Sequence, residues 1–371
     1  MFADPPLWLI VIAFVAMIGP LVFVHELGHF LVARAFGVGA EIFSIGFGRE
    51  IFGWTDKRGT RWKVGWLPLG GYVRFVGDAD PASAGATAGA TSRPDSFAGK
   101  PVWKRFLIVL AGPVANFLLA IAIFAAFFAF VGAPLTNVVG SVKPGSAAAA
   151  AGIQPGDRLV AIAGRATPTF DDILRIVLLR PNETIPVTVQ HGEQLRSVPV
   201  TLGSTTFKDG TRTFQAGLLG VTSSVTARER LGPVDATATA VRYTARMTEG
   251  IVDGLVQMVR GRVSPEQLGG PLKIAKVAGE GAAAGPFAFA ALVALISINL
   301  GFINLLPVPM LDGGHLLFYA IEAVRRRPVS ARAQEWAFRG GLALLLSLFL
   351  FTTLNDLGSF GVWERLGSLI G

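Results

Sequence analysis

The chain has 371 residues, of which 51% are apolar even before its 45 glycines are counted, against ~45–50% with glycine included in a soluble domain. Charged residues make up only 16%, against a norm of about 25%, and are missing in long runs, which excludes a disordered chain and an ordinary cytosolic enzyme and indicates an integral membrane protein. Cysteine is absent, so any metal must be held by His, Asp or Glu, and the net charge of +8 points to membrane topology rather than nucleic acid.

In chain order, the first apolar run extends from Leu7 to Phe36, a helix of ~45 Å, longer than the ~30 Å hydrocarbon core. With only Asp4 ahead of it rather than a basic stretch, it reads as a retained span. The next segment carries Arg49, Lys57, Arg58, Arg61, Lys63, Arg74, Arg93, Lys100, Lys104 and Arg105. Within it, 51–54 and 60–66 around the turn Asp56-Lys57-Arg58-Gly59 read as a β-hairpin. Thr60, Trp62, Val64 and Trp66 form one uncharged face suited to lipid or another membrane segment. Residues 78–96, rich in Ala, Gly, Ser and Pro, read as a flexible linker.

A second uncharged run covers 106–142, a third 281–311 and a shorter fourth 340–355. The loop between the third and fourth carries Arg325, Arg326, Arg327 and Arg332. Four spans place this loop and the first basic loop on one side, which the positive-inside rule makes cytoplasmic. Between the second and third spans, strand-like segments (138–142, 158–163, 185–190, 197–202) and helix-like ones (146–152, 170–179) predict a small α+β module. Residues 227–260 read as an amphipathic connector at the membrane surface.

The chemistry-bearing residues lie in or beside the spans. His25-Glu26-Leu27-Gly28-His29 places two imidazoles at i and i+4, on one helix face, where they can bind one Zn2+ ion with Glu26 beside them as general base. Ionisable groups inside a span are costly, so the three together require a polar partner, a water-filled cavity or a metal. Catalytic zinc takes three protein ligands plus water. Asp312, the first acidic residue after 31 uncharged positions and just past Pro307 and Pro309, is the candidate third ligand, with His315 as its competitor.

The motif 25–29, Gly112-Pro113 with Asn116 in the second span, and Asn304 to His315 in the third resemble the site-2 protease family of intramembrane zinc metalloproteases. The outside segment, with Pro144-Gly145-Ser146 and Ala151-Gly152-Ile153-Gln154-Pro155-Gly156-Asp157, resembles a circularly permuted bacterial PDZ domain, an RseP-type arrangement with one PDZ domain rather than two. The resemblance implies zinc on His25, His29 and Asp312 and base catalysis by Glu26. It also implies substrate or oxyanion binding by Asn304 and Asn299, a membrane-re-entrant β element containing Gly70 and Gly71, and a carboxylate-binding loop at Gly217–Val221.

The expected architecture is a four-span α-helical membrane protein with a re-entrant hairpin and an inserted PDZ-like domain. Its parts are a first transmembrane helix with the metal motif (1–36), a cytoplasmic loop with hairpin and linker (37–105), a second helix (106–135), the PDZ-like domain (136–224) and the amphipathic connector (225–280). A third transmembrane segment with the Asp ligand (281–315), a basic loop (316–336), a fourth helix (337–356) and a tail (357–371) complete the chain. The expected activity is hydrolysis of a peptide bond within the transmembrane segment of a single-span protein, an anti-sigma factor being the family expectation. Its setting is the bacterial inner membrane, with the PDZ-like domain outside, open to a peptide C-terminus, and the active site toward the cytoplasm. A PDZ-bearing scaffold with a vestigial site is the alternative.

Overall fold

A computed structural model of the chain describes residues 5–77, 93–134, 137–209, 212–223 and 228–361; most of the expected linker 78–96 and of the tail 357–371 lies outside the described residues. In chain order the elements are α1 (Leu7–Ala35), β1 (Ala40–Thr55), β2 (Arg61–Phe75), α2 (Val102–Phe130), β3 (Ala133–Pro134), β4 (Val139–Val142), α3 (Ala147–Ala150), β5 (Arg158–Ile162), β6 (Arg165–Ala166) and α4 (Phe170–Leu178). They continue with β7 (Thr184–His191), β8 (Gln194–Thr201), β9 (Gly203–Asp209), β10 (Arg212–Leu218), β11 (Val221–Ser223), β12 (Arg228–Glu229), α5 (Pro233–Val259), α6 (Pro271–Ala283), α7 (Pro286–Leu305), α8 (Asp312–Arg325) and α9 (Ala331–Ser359). Among the described residues, α1, α2, α7 and α9 are the four helices long and apolar enough to cross a membrane. The chain divides into two compact units, Met1–Ile123 with Pro271–Phe351, and Phe124–Gly270 with Thr352–Gly371.

In the first unit, α1 is apolar all round, as a membrane helix must be, yet it buries one stripe: Ala13, Met17, Leu21, His25, His29 and Ala33, each four residues from the next. Its upper part packs on Ala278 of α6. At Gly28 the helix runs so close to α2 that a Cβ would lie 2.4 Å from the Ala111 carbonyl oxygen, the close approach that small residues allow between membrane helices.

The predicted hairpin is longer than its sequence signal, because each strand bends and pairs twice. Phe43 lies opposite both Val73 and Trp62, so the start of β1 is flanked by the two ends of β2. Gly46 and Gly48 in β1 and Gly70 in β2 adopt the positive φ that such bends need. This divides the uncharged face between α1 and the exterior. Thr60 is fully buried and Trp62 stacks on Phe43 with a centroid distance of 4.3 Å and meets Phe30 of α1 at 5.1 Å, while Val64 and Trp66 stay exposed. The core behind the sheet is Phe30, Ala33, Val38, Ala40, Phe43, Phe75, Phe97 and Ile108.

Helix α7 ends before Pro307, and the chain runs irregularly to Leu311, with Met310 at φ 82°, before α8 begins. Pro307 and Pro309 carry no N–H to continue a helix, which accounts for the break.

The second unit holds the α+β module. A four-stranded sheet in the order β6-β5-β7-β8, the pair β4-β11 and the hairpin β9-β10 surround one apolar core that includes Leu159, Ile162, Ile173, Val187 and Val189. Helix α4 starts at a capping box in which the Thr169 and Asp172 side chains each serve the other's backbone N–H. Two buried carboxylates tie α5 to the rest of the unit: Asp172 of α4 meets Arg175 and, on α5, Arg246, and Asp253 of α5 meets Arg165 of β6 and Arg180, two residues past α4. The sequence pattern did not signal β9 and β10.

Candidate metal centre

The first unit contains a cavity of about 680 Å³, within the range of ligand sites, whose lining includes His25, Glu26, His29, Gly70, Gly71, Asn304, Asp312 and His315. Four elements supply these groups. Helix α1 contributes His25, Glu26 and His29 from its buried face, all three nearly inaccessible. Asp312 comes from the first turn of α8, where the helix dipole favours a carboxylate. The glycines that follow it hold it there. A Cβ at Gly313 would lie 2.1 Å from the Leu306 carbonyl oxygen and one at Gly314 2.5 Å from that of Val308, so only glycine lets the proline-broken segment fold back onto α8.

One ligand atom from each of His25, His29 and Asp312 falls within 4.8 Å of the others. The separations are 3.3 Å between the two histidine Nε2 atoms, 3.1 Å from His25 Nε2 to Asp312 Oδ2 and 3.5 Å from His29 Nε2 to the same oxygen. Bonds of ~2.0–2.1 Å at tetrahedral angles put ligand atoms about 3.3 Å apart, so the triangle has the size a zinc ion requires. Despite this proximity, buried Asp312 Oδ2 lacks a hydrogen bond of proper geometry. Three electron-pair donors crowded together repel one another without a cation between them, and the residues present fit zinc.

The remaining ring nitrogens are engaged elsewhere. His29 Nδ1 donates to the Ile108 carbonyl of α2 at 2.9 Å, which leaves its Nε2 lone pair facing the cluster. His25 Nδ1 lies 3.1 Å from the Asn116 side-chain amide. Gly112 makes room for His29: a Cβ there would lie 2.2 Å from Nε2 and 2.4 Å from Cε1. Pro113, which has no N–H to donate to the Val109 carbonyl, loosens the same turn of α2.

Glu26 lies next to the cluster with the backbone of Val73 at its carboxylate and Gly71 against its stem, where a Cβ would be 3.2 Å from Cγ. Gly70, Gly71, Tyr72, Val73 and Phe75 border the same cavity, and their outward edge has no strand partner among the described residues. Asn304 of α7 lines the cavity too. Asn299, half-buried one turn earlier, is not among the lining residues. His315 borders the cavity, but its ring packs on Phe338 at 5.1 Å and stands outside the three-residue ligand group. Sequence reasoning assigned no role to the contacts of Asn116 and Gly112, although Asn116 is the one polar side chain between Phe106 and Phe130, itself a signal.

The model of peptidase family M50 matches residues 13–348. A protein of Agrobacterium fabrum, named as a zinc metalloprotease, is 44% identical over 360 residues, covering 94% of this chain and 96% of that one. A similarly named protein of Rhizobium meliloti is 43% identical, covering 93% and 95%. Metalloprotease MmpA of Caulobacter vibrioides is 37% identical, covering 97% and 98%.

Proposed function

Because the chain belongs to peptidase family M50, the site-2 proteases, and is a zinc metalloprotease with membrane-spanning helices, we propose that it cuts a peptide bond inside the membrane segment of a single-span protein. The observation that carries this reading is the position of two of the three ligands, His25 and His29, on the buried face of a helix apolar enough to span the bilayer, beside a strand edge with no strand partner among the described residues.

His25, His29 and Asp312 would hold the metal. Zinc bound there supplies Lewis acidity, lowering the pKa of water toward ~7 and polarising a carbonyl. Glu26 accepts the proton of the attacking water and returns it to the leaving amide nitrogen, so the proton count closes on one carboxylate. Asn304 donates its side-chain N–H to the substrate carbonyl as charge builds on that oxygen. A helical substrate keeps its peptide groups hydrogen-bonded internally, and the free edge at Gly70–Phe75 offers replacement partners for a stretch that unwinds. Gly70 and Gly71 belong to that edge, where it borders the cavity beside Glu26.

The hairpin then acts as a membrane-re-entrant element, with exposed Trp66, Ile51 and Phe52 in lipid. The α+β module serves as a PDZ-like domain for a peptide C-terminus. Exposed Leu174, Leu178 and Leu218, and a left-handed Gly220 in the loop before β11, suit that role. The positive-inside rule places the basic loops and the active site on the cytoplasmic side of the inner membrane. An anti-sigma factor, freed by a first cleavage outside, is the substrate this arrangement suits.

Glu26→Gln tests the reading. The variant should insert in the membrane and hold zinc normally while cleavage falls by at least ~10²–10⁴-fold, and membrane proteomes should show a span-containing fragment that accumulates only in the mutant. Full cleavage of that fragment by the variant would defeat the mechanism.

A further inference from the structure

The two histidines of the cluster are oriented by different kinds of group. His29 Nδ1 faces a backbone carbonyl, which can only accept, so its proton is fixed on Nδ1 and its Nε2 is free to bind a cation. His25 Nδ1 faces the side chain of Asn116, whose amide nitrogen is placed 3.1 Å away and whose oxygen, on the other end of the same amide, could take that position by a half-turn. Asn116 is fully buried, its backbone carbonyl is anchored to Ser297 Oγ of α7 at 2.8 Å, and its side-chain oxygen has no hydrogen-bond partner.

Which end of the amide meets His25 decides whether that residue can bind a metal. If the NH₂ group donates to Nδ1, the neutral ring carries its proton on Nε2, pointed at the other two ligand atoms. If the carbonyl accepts from Nδ1–H, the Nε2 lone pair faces them, as in His29. The oxygen and nitrogen of the amide have nearly the same shape, so rotating it by half a turn exchanges the two without other movement.

We propose that Asn116 is a positioning residue for the metal site, its side-chain carbonyl accepting from His25 Nδ1–H and so holding His25 in the ligand tautomer. This role rests on the reading of His25, His29 and Asp312 as the metal ligands. The pairing of a metal-bound imidazole with an acceptor on its far nitrogen typically contributes 10–100-fold in metal affinity. Of the two orienting groups, Asn116 is the one a side-chain substitution can remove.

The test is zinc affinity of the purified full-length protein in detergent, by competition with a chelator, together with the visible spectrum of the cobalt-substituted form. Asn116→Leu, of similar volume, should lose 10–100-fold in zinc affinity and alter the cobalt bands. Asn116→Asp keeps an acceptor and removes the donor, so affinity within about threefold of wild type, or higher, and unchanged bands are expected. A Leu variant that binds zinc like wild type overturns the proposal. So does an Asp variant weakened tenfold or more, and that result decides even if the Leu variant does not fold. Asp312→Ala separates the two readings: wild-type zinc affinity in that variant would sink the metal-site assignment itself, whereas its loss alongside a normal Asn116→Leu sinks only the role of Asn116.

Discussion

The metal-bearing unit and the α+β module solve opposite problems. In the module an apolar core of Leu159, Ile162, Ile173 and their neighbours is closed off from solvent, and burial of that core is what holds it together. In the first unit the surface is apolar, with Leu7, Trp8, Val11 and Ile12 exposed at the start of α1, and the polar groups are gathered inside at His25, Glu26 and His29. Lipid is as apolar as leucine, so burying more apolar surface there contributes little, and close packing with fully directed polar groups must do the rest. The same size of chemical change should therefore act on activity in one region and on stability in the other.

A single added methyl is the sharpest way to break this contrast. Gly112→Ala puts a Cβ where His29 Nε2 now lies, 2.2 Å away, and the ring is the far end of a side chain that can swing aside. The helices need not move, so the fold should persist while the ligand is displaced by about 1 Å, a misplacement that costs on the order of 10²-fold in rate. Peptidase assays and zinc content of the detergent-solubilised variant, set beside its helical circular dichroism, check this. Unfolding with activity lost in proportion would mean that the small residue serves packing alone.

Removing methyls from the module should do the reverse. Leu159 is completely buried, and Leu159→Ala is expected to destabilise the module by about 2–5 kcal/mol through lost burial and the cavity left behind. Limited proteolysis of the whole protein over a temperature series, reading cuts within 137–223, should show the module opening at lower temperature with zinc content unchanged. Simultaneous loss of zinc would show that the two regions do not behave independently.

How much of this was legible in the chain differs by region for the same physical reason. His25 and His29 advertise themselves, because i and i+4 spacing and the cost of charge in lipid are both properties of sequence, and Asp312 stands out after its uncharged run. The roles of Gly112 and Asn116 depend on how close α2 runs to α1, a distance that neither helix encodes alone. The double pairing of β1 was hidden for a similar reason. Alternation along 60–66 marks a strand, but the second partner at 71–75 is set by bends at Gly46, Gly48 and Gly70. Trp62, on the face read as suited to lipid or another membrane segment, meets Phe30 of α1 and stacks on Phe43 because that second pairing brings β1 across it.

The smallest expected effect lies where α1 meets the hairpin, outside both the cluster and the module. Burial opposes ionisation of Asp56, but it is outweighed by hydrogen bonds from the Thr60 N–H, Trp62 Nε1 and the Arg58 N–H and by the Arg34 charge, which together hold the carboxyl below its usual range. A carboxylate whose pKa is lower folded than unfolded stabilises the folded state at any pH above the unfolded value, about 3.9, and that contribution fades as pH falls through the folded value. Asp56→Asn removes the charge and keeps one acceptor, so at pH 7 it should loosen the hairpin by on the order of 1 kcal/mol, or about fivefold in hydrogen-exchange protection. Metal ligands also take up protons in acid, but that loss is common to both proteins and cancels when wild type and variant are compared at each pH. The gap between their protection factors over 50–67 should close below about pH 3.9. A gap that persists at lower pH would assign the effect to the shape of the turn instead of the Asp56 charge.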